Sequence, residues 1–328
     1  LGGESMSFMA TWEGNDYWFS ATGRSAIAYR VSYGIALTVT GPFGDPSEYA
    51  EDLTDFATFC TQHSWTPVFY SVHKSQRAEL AKAGWDSLDV GTEMIVNPNE
   101  WQTRGKKWQD VRTAINKAKR DGITDVLTTF KEAPFSVQTQ IREISAQWAG
   151  KKALPEMGFT LGGVDELIDS RVRLLYAVDG NGKVLGVTSW LPTYRDGTII
   201  GWTLDFMRHR TDSVNGIMEF LIARMAERLR DEGNVEFMSL SAAPLAGMGS
   251  NESEHEESEV LRHALQMVAD IMEPAYGFHS LFRFKLKFHP DEEKVYICYP
   301  DAAKLPQISL AVAQAVSYTH LRAHETEL

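Results

Sequence analysis

Residues 103–121 form a basic stretch with a single apolar stripe, and the segments on either side of it read in the same order of strands and helices. Arg104, Lys106, Lys107, Arg112, Lys117, Lys119 and Arg120 run along this stretch. Val111, Ala114, Ile115 and Ala118 recur at helical spacing, and Gly122 ends the pattern. A helix of this kind between two similar segments is a connector, and a chain of 328 residues has room for two domains. The expected division is an N-terminal domain over 1–102, a connecting helix over 103–122, a C-terminal domain over 123–300 and a tail over 301–328.

Before the connector, short strands are predicted at 17–20, 26–29 and 34–40, the last closed by Gly41-Pro42-Phe43-Gly44-Asp45-Pro46. A helix follows over 48–63, with Leu53, Phe56 and Phe59 on one face. A strand at 67–72, a helix over 74–83 stopped by Gly84 and a strand at 93–96 complete the segment. After the connector come a strand at 125–130 and a helix over 134–148. Strands at 173–178 and 184–191 are joined by Asp179-Gly180-Asn181-Gly182, a hairpin signal. A long strand at 198–207, an amphipathic helix over 216–231, a strand at 236–240, a helix over 259–272 and strands at 282–288 and 295–299 follow. This order suits an α/β (α+β) acyltransferase fold of the GNAT kind, used twice. No residue-level repeat accompanies it, so the duplication rests on element order.

Some classes are excluded early. No apolar run reaches the roughly 20 residues of a membrane helix; the run over 217–225 is broken by Glu219 and Arg224. The net charge of −12 argues against a chain coated in positive charge for general nucleic-acid binding, and leaves room for a local basic patch. Cys60 and Cys298, the only cysteines, have no metal-type spacing and suit a reducing compartment. The first residue is Leu1, so the chain is expected to begin inside a longer reading frame. Residues 316–328 lack a clear period and resemble a translated sequencing-adapter read; no function is assigned to them.

The sequence contains no GxSxG elbow, Walker A or HExxH pattern, and its nine histidines are scattered, so no metal site is expected. Asp205-Phe206-Met207-Arg208 ends an apolar strand, where α/β folds place ligands. In a regular strand Asp205 and Arg208 face opposite ways; a turn after Phe206 brings them together. A surface ion pair is the other reading. Acetyl-CoA-dependent acyltransferases carry an R/Q-x-x-G-x-G/A loop that holds pyrophosphate at a helix N-terminus. The corresponding 210–217 loop has one glycine, Gly216, and an anionic Asp212, which argues against coenzyme A. Arg283, Lys285 and Lys287 alternate and are expected on one face of a strand. They form either a row that neutralises phosphate or oxyanion, or a solvated basic edge. The acidic run over 252–259 reads as a solvated loop. The basic helix offers Lys106, Lys107, Arg112, Lys117, Lys119 and Arg120 either to a tRNA backbone or anionic lipid, or to solvent.

Taken in order, several stretches resemble one family. They are Gly44-Asp45-Pro46, Pro67-Val68-Phe69-Tyr70, Gly91-Thr92-Glu93, the basic 112–122 helix, Glu156-Met157-Gly158-Phe159-Thr160-Leu161-Gly162, Asp205-Phe206-Met207-Arg208, Ala243-Pro244-Leu245-Ala246-Gly247, and the 278–288 stretch with Pro290. The family is the C-terminal aminoacyltransferase region of the multiple peptide resistance factors, the lysyl- and alanyl-phosphatidylglycerol synthases. The resemblance covers most of 15–300. It departs at Phe206, where an aliphatic residue is more usual, and at Gly277, His279 and Ser280, where Asn, Gln and Gly are common.

The resemblance implies tandem GNAT-like domains, aminoacyl-tRNA as donor and phosphatidylglycerol or a related anionic lipid as acceptor. It implies no cofactor, because the donor is already an activated ester. It implies work at the cytoplasmic side of the cell membrane and an upstream transmembrane flippase domain. Asp205, Arg208 and Lys285 are the implied catalytic residues. Glu156 is the implied contact for the amino acid's ammonium, with Phe159, Arg283, Lys287 and His279 as further substrate-binding candidates. Three other readings share parts of this pattern: an acetyl-CoA-dependent N-acetyltransferase, a peptidoglycan-bridge aminoacyltransferase, and a membrane-associated scaffold that kept the fold without activity.

Overall fold

The computed structural model describes residues 2–151, 162–244 and 278–317. Its first half opens with an antiparallel meander, β1 (Asp16–Phe19), β2 (Ser25–Ser32) and β3 (Ile35–Thr38). Tyr33 and Gly34 turn β2 into β3 with φ of 51° and 74°. Two successive left-handed residues match the twist of a tight hairpin. The short β4 (Phe43–Gly44) pairs back onto β2. Helix α1 (Tyr49–Gln62) then returns the chain, so that β5 (Thr66–Val72) runs parallel to β3. Leu53, Phe56 and Cys60 are its core-facing residues, packed on Ile27, Tyr29 and Phe69. Helix α2 (Lys74–Lys82) and the long β6 (Asp86–Val96) end this half.

Helix α3 (Gln109–Arg120) follows, shorter than the expected 103–121 because the chain before it is a loop and a single 3-10 turn at Lys106–Trp108. Arg112 holds that loop by donating to the carbonyls of Thr103 (2.6 Å) and Gly105 (2.5 Å). Val111 and Ala118 bury the apolar stripe of α3 in the core that it shares with α5 (Ile217–Glu232).

The second half repeats the order. β7 (Thr124–Thr128), β8 (Arg173–Val178), β9 (Val184–Arg195) and β10 (Thr198–His209) form an antiparallel meander, with α4 (Phe135–Lys151) between β7 and β8. The 179–182 hairpin forms as expected, with Asp179 Oδ1 accepting from Asn181 N–H and Lys183 N–H, each at 2.9 Å. Helix α5 carries the chain over to β11 (Phe237–Pro244), which runs parallel to β10. Asp125 of β7 ties α5 down, accepting from Arg224 (2.8 Å) and Arg228 (2.7 Å).

The two halves exchange their last strands. The sheet runs β1-β2-β3-β5-β12-β6-β11-β10-β9-β8-β7, where β12 is Asp291–Tyr299. β12 thus lies against β5 of the first half, while β6 lies against β11 of the second, and β6 and β12 pair with each other. One sheet therefore crosses the sequence boundary at the connector, and residues from both halves meet at its centre.

Two expectations need correction. The 282–288 stretch is not a strand: it belongs to helix α6 (Phe278–Leu286), whose Phe282, Phe284 and Leu286 pack on the α5 core. The stretch after 300 is not all tail. Residues Leu305–Ser317 form helix α7, and Leu305, Ile308, Ala311 and Val312 bury its apolar side against β2 and β3. Residues 316–317 of the adapter-like 316–328 stretch end this helix; its remainder, 318–328, the expected 259–272 helix and the acidic 252–259 run lie outside the described residues.

Candidate active site

β10 builds the first cluster through a defect in its pairing. Leu204 stands opposite Trp190 and Met207 opposite Thr188, so Asp205 and Phe206 share the single partner Ser189. The Ser189 hydroxyl accepts the Phe206 N–H at 3.0 Å. Such a bulge shifts the in-out alternation of a strand by one residue. Accordingly, Trp202 and Leu204 pack with α5, whereas Phe206 joins the core beneath α4. Positions 205 and 208, three apart, come to the same side. Sequence reasoning assigned this task to a turn after Phe206; the strand instead runs on to His209, and the bulge performs it.

Asp205 is buried, and the Gly162 N–H donates to its Oδ1 at 2.8 Å. Among the described residues Oδ2 has no hydrogen-bond partner. Burial pushes the carboxyl up to about 7, against the pull of the Gly162 N–H and of the Arg208 guanidinium. Arg208 is 3% exposed. It donates to the Met207 carbonyl at 3.2 Å, and its guanidinium carbon lies 3.4 Å from the centre of the Trp148 ring and 4.7 Å from that of Phe206. Two aromatic faces thus fix the cation beside the acid.

The second cluster forms where β10 and β11 part. The strands pair in parallel only through Gly201, Trp202 and Thr203 against Phe237, Met238 and Ser239. Beyond that, β11 carries its own bulge against β6, and Ser241 adopts φ of 66°. Lys285 of α6, 3% exposed, donates to the carbonyls of Ser241 (3.3 Å) and Ala242 (3.2 Å). Burial pushes its amine down to about 7, partly offset by the charge of Glu93. Glu93 on β6 is fully buried; it accepts from the Ser239 hydroxyl and bonds His73 Nε2 at 2.7 Å. His73 Nδ1 bonds Glu4. Burial opposes the imidazolium, but the bonds to Glu4 and Glu93 prevail and hold His73 up at about 11. The same imidazolium outweighs burial at Glu93 and holds that carboxyl below its ordinary range.

The structure separates some residues that the sequence grouped. On a helix, residues two apart lie on opposite sides, so Lys285 points inward while Arg283 is exposed and Lys287 pairs with Glu219 of α5 at 2.7 Å. His279 is exposed as well. The expected row of three cations does not exist. Lys106, Lys107, Lys119 and Arg120 are exposed around α3, while Arg112 and Lys117 are half-buried. Glu156 and Phe159 lie outside the described residues, as does most of the Ala243–Gly247 motif. His73 and Glu93 went unpredicted as site residues. Their signal was Glu93 itself, a carboxylate among the apolar Val90, Met94 and Val96 of one strand.

Two halves of GNAT-like strand order joined in one mixed sheet define an α/β fold, with buried Asp205 and Arg208 on β10 and Lys285 held against β11. The chain belongs to the phosphatidylglycerol lysyltransferase C-terminal family, a family of transferases, whose profile matches residues 1–299. An uncharacterized protein of Corynebacterium glutamicum is 39% identical over 314 residues, covering 95% of this chain and 39% of that protein. The lysylphosphatidylglycerol biosynthesis bifunctional protein LysX of Gordonia bronchialis is 26% identical over 322 residues, 97% of this chain and 28% of LysX. The chain thus spans less than half the length of these relatives. Among solved structures, the L-PGS of Bacillus licheniformis superposes with a TM-score of 0.80 at 22% identity, over 96% of this chain and 92% of that one. The C-terminal domain of a putative lysylphosphatidylglycerol synthetase from Agrobacterium fabrum gives 0.81 at 20% identity, over 96% and 93%. These two likenesses show the fold.

Proposed function

We propose that this chain transfers an aminoacyl group from aminoacyl-tRNA to the glycerol hydroxyl of phosphatidylglycerol. The observation that carries the reading is Asp205: a carboxyl buried with one oxygen unpartnered among the described residues, set beside Arg208 where the parallel strands open. A carboxyl that titrates near neutrality suits proton transfer at working pH.

The lipid hydroxyl oxygen attacks the ester carbonyl of the aminoacyl-tRNA, and its proton passes to Asp205. A tetrahedral oxyanion forms, stabilised by Arg208 or Lys285. It collapses by releasing the tRNA 3′-terminal oxygen, which takes the proton back from Asp205. One ester is made as another is broken, so the driving force comes with the donor, and alignment is the main task left to the protein. By resemblance, Glu156 contacts the ammonium of the amino acid. The exposed cations around α3 supply a face for the tRNA backbone or for anionic lipid. The lipid substrate brings the working chain to a membrane surface, and a membrane-embedded flippase domain in the full-length protein fits the same reading. Among the described residues no helix is long and apolar enough to cross a membrane.

An acetyl-CoA-dependent reaction fits less well. At the N-terminus of α5, Ala114 of α3 abuts Gly216: a β-carbon there would lie 3.0 Å from that of Ala114. Asp212 adds a carboxylate in the same loop, paired with Lys183 at 2.7 Å. The test is a transfer assay with vesicles of phosphatidylglycerol and a panel of radiolabelled aminoacyl-tRNAs. Label entering the lipid phase from one donor is expected and names the amino acid. Absence of label with every donor, on vesicles with and without diacylglycerol, overturns the proposal.

A further inference from the structure

Lys285 carries an amine into the interior, where among the described residues two carbonyl oxygens receive it. An ammonium ion at that depth is costly unless an anion stands nearby. The sheet supplies one. Ala242, whose carbonyl Lys285 holds, is the direct ladder partner of Glu93 across the β11–β6 pair. Glu93 is fixed from two other elements, by the Ser239 hydroxyl of β11 and by His73 at the start of α2, which Glu4 secures from its far side.

The cluster exists only because the halves exchange strands. Glu4, His73 and Glu93 come from the first half, Ser239 and Lys285 from the second, and the β6–β11 pairing joins them. Among the described residues, the charged side chains next along β12 and α6 face elsewhere. Glu293 and Lys294 on β12 pair in register with Glu93 and Thr92 but are exposed, and Lys294 lies 3.4 Å from Asp89. Arg283 is exposed, and Lys287 is engaged with Glu219.

We infer that Glu93, clamped by His73 and Ser239, is the positioning residue for Lys285: it keeps the ammonium ion seated on the Ser241 and Ala242 carbonyls during aminoacyl transfer. His73 acts one step further back, since its imidazolium keeps Glu93 ionised. The inference rests on the role given above to Lys285 in that reaction.

The test titrates Lys285 directly. In protein labelled with carbon-13 at the lysine side chains, the Lys285 resonance is assigned by its loss in Lys285→Met. In Glu93→Gln the midpoint is expected to fall by about one pH unit, because the anion that favours the charged amine is gone. Glu93→Asp keeps the charge and draws it back, so a smaller fall in the same direction is expected; this variant also serves if the glutamine protein does not fold. An unchanged midpoint in a folded variant overturns the inference. A parallel arm follows transfer rate against pH. The limb governed by Lys285 shifts to lower pH in Glu93→Gln whether the amine works charged or neutral. Transfer by the wild-type chain with an unmoved limb in the variant overturns this inference alone. A wild-type chain that transfers nothing overturns the proposed reaction, and the spectroscopic midpoint still decides the role of Glu93.

Discussion

Gly162 stands against Asp205 so closely that a β-carbon on it would lie 2.1 Å from Oδ2. Its N–H donates to Oδ1 of the same carboxyl. Glycine is required here by close approach. Gly162→Ala must push the carboxyl away or break the 2.8 Å bond, with an overpacking penalty of about 1–3 kcal/mol. The expected result is a melting temperature lowered by a few degrees and a transfer rate reduced at least tenfold. Full turnover in a folded Gly162→Ala protein would show that the observed carboxyl position is not the working one.

The stacking of Arg208 on Trp148 gives a second prediction. A desolvated cation–π contact contributes up to roughly 2 kcal/mol. Trp148→Leu keeps an apolar side chain but removes the ring face, and the guanidinium is then less fixed. Transfer is expected to fall by about tenfold in Trp148→Leu, and Trp148→Phe, which keeps a ring face, is expected to recover more than half of the lost rate. Equal activities of the leucine and phenylalanine proteins would deny the ring a role.

Helix α6 separates the strand reading from the structure. Lys285→Met should abolish transfer, whereas Arg283→Gln, on the exposed side, should stay within about twofold of wild type. The strand reading predicts similar losses for both. Rates measured side by side on the same vesicles distinguish them.

That misreading shows where sequence stops being informative. Phe282, Phe284, Leu286 and Phe288 alternate with Arg283, Lys285 and Lys287, which is the period of a strand. Leu281, Phe282, Lys285 and Phe288 also fit a helical face, and a run this short satisfies both periods. Packing on α5 and the seating of Lys285 on two β11 carbonyls decide for the helix. Helices α1 and α5 were legible from helical spacing, α5 also from the Gly233 that ends it, and the 179–182 hairpin from its turn residues. The exchange of β6 and β12 was not, since pairing between strands some 200 positions apart leaves no local mark. Asp205 and Arg208 were legible as a motif, but the bulge that brings them to one side depends on the register with β9. Glu93 and His73 were missed because they are 20 residues apart and meet only in the assembled sheet.

Asp205 also predicts a conflict between stability and function. Its carboxyl ionises near 3.8 when unperturbed and near 7 in the folded chain, with burial as the main cause. Between those values the folded state holds a proton that the unfolded state has released. Stability therefore falls as pH rises through this window and levels off above it, by a ceiling of about 4 kcal/mol. Asparagine at this position accepts the Gly162 N–H equally well and does not titrate. Asp205→Asn is thus expected to melt higher than wild type at pH 8, with the gap shrinking toward pH 5, while transfer is lost at every pH. A residue that weakens the fold at neutral pH and whose removal ends the reaction is retained for its chemistry. Equal melting temperatures at pH 5 and pH 8 for the two proteins would mean that the carboxyl titrates as an ordinary solvated acid, and the proton-transfer role would have to move to another group.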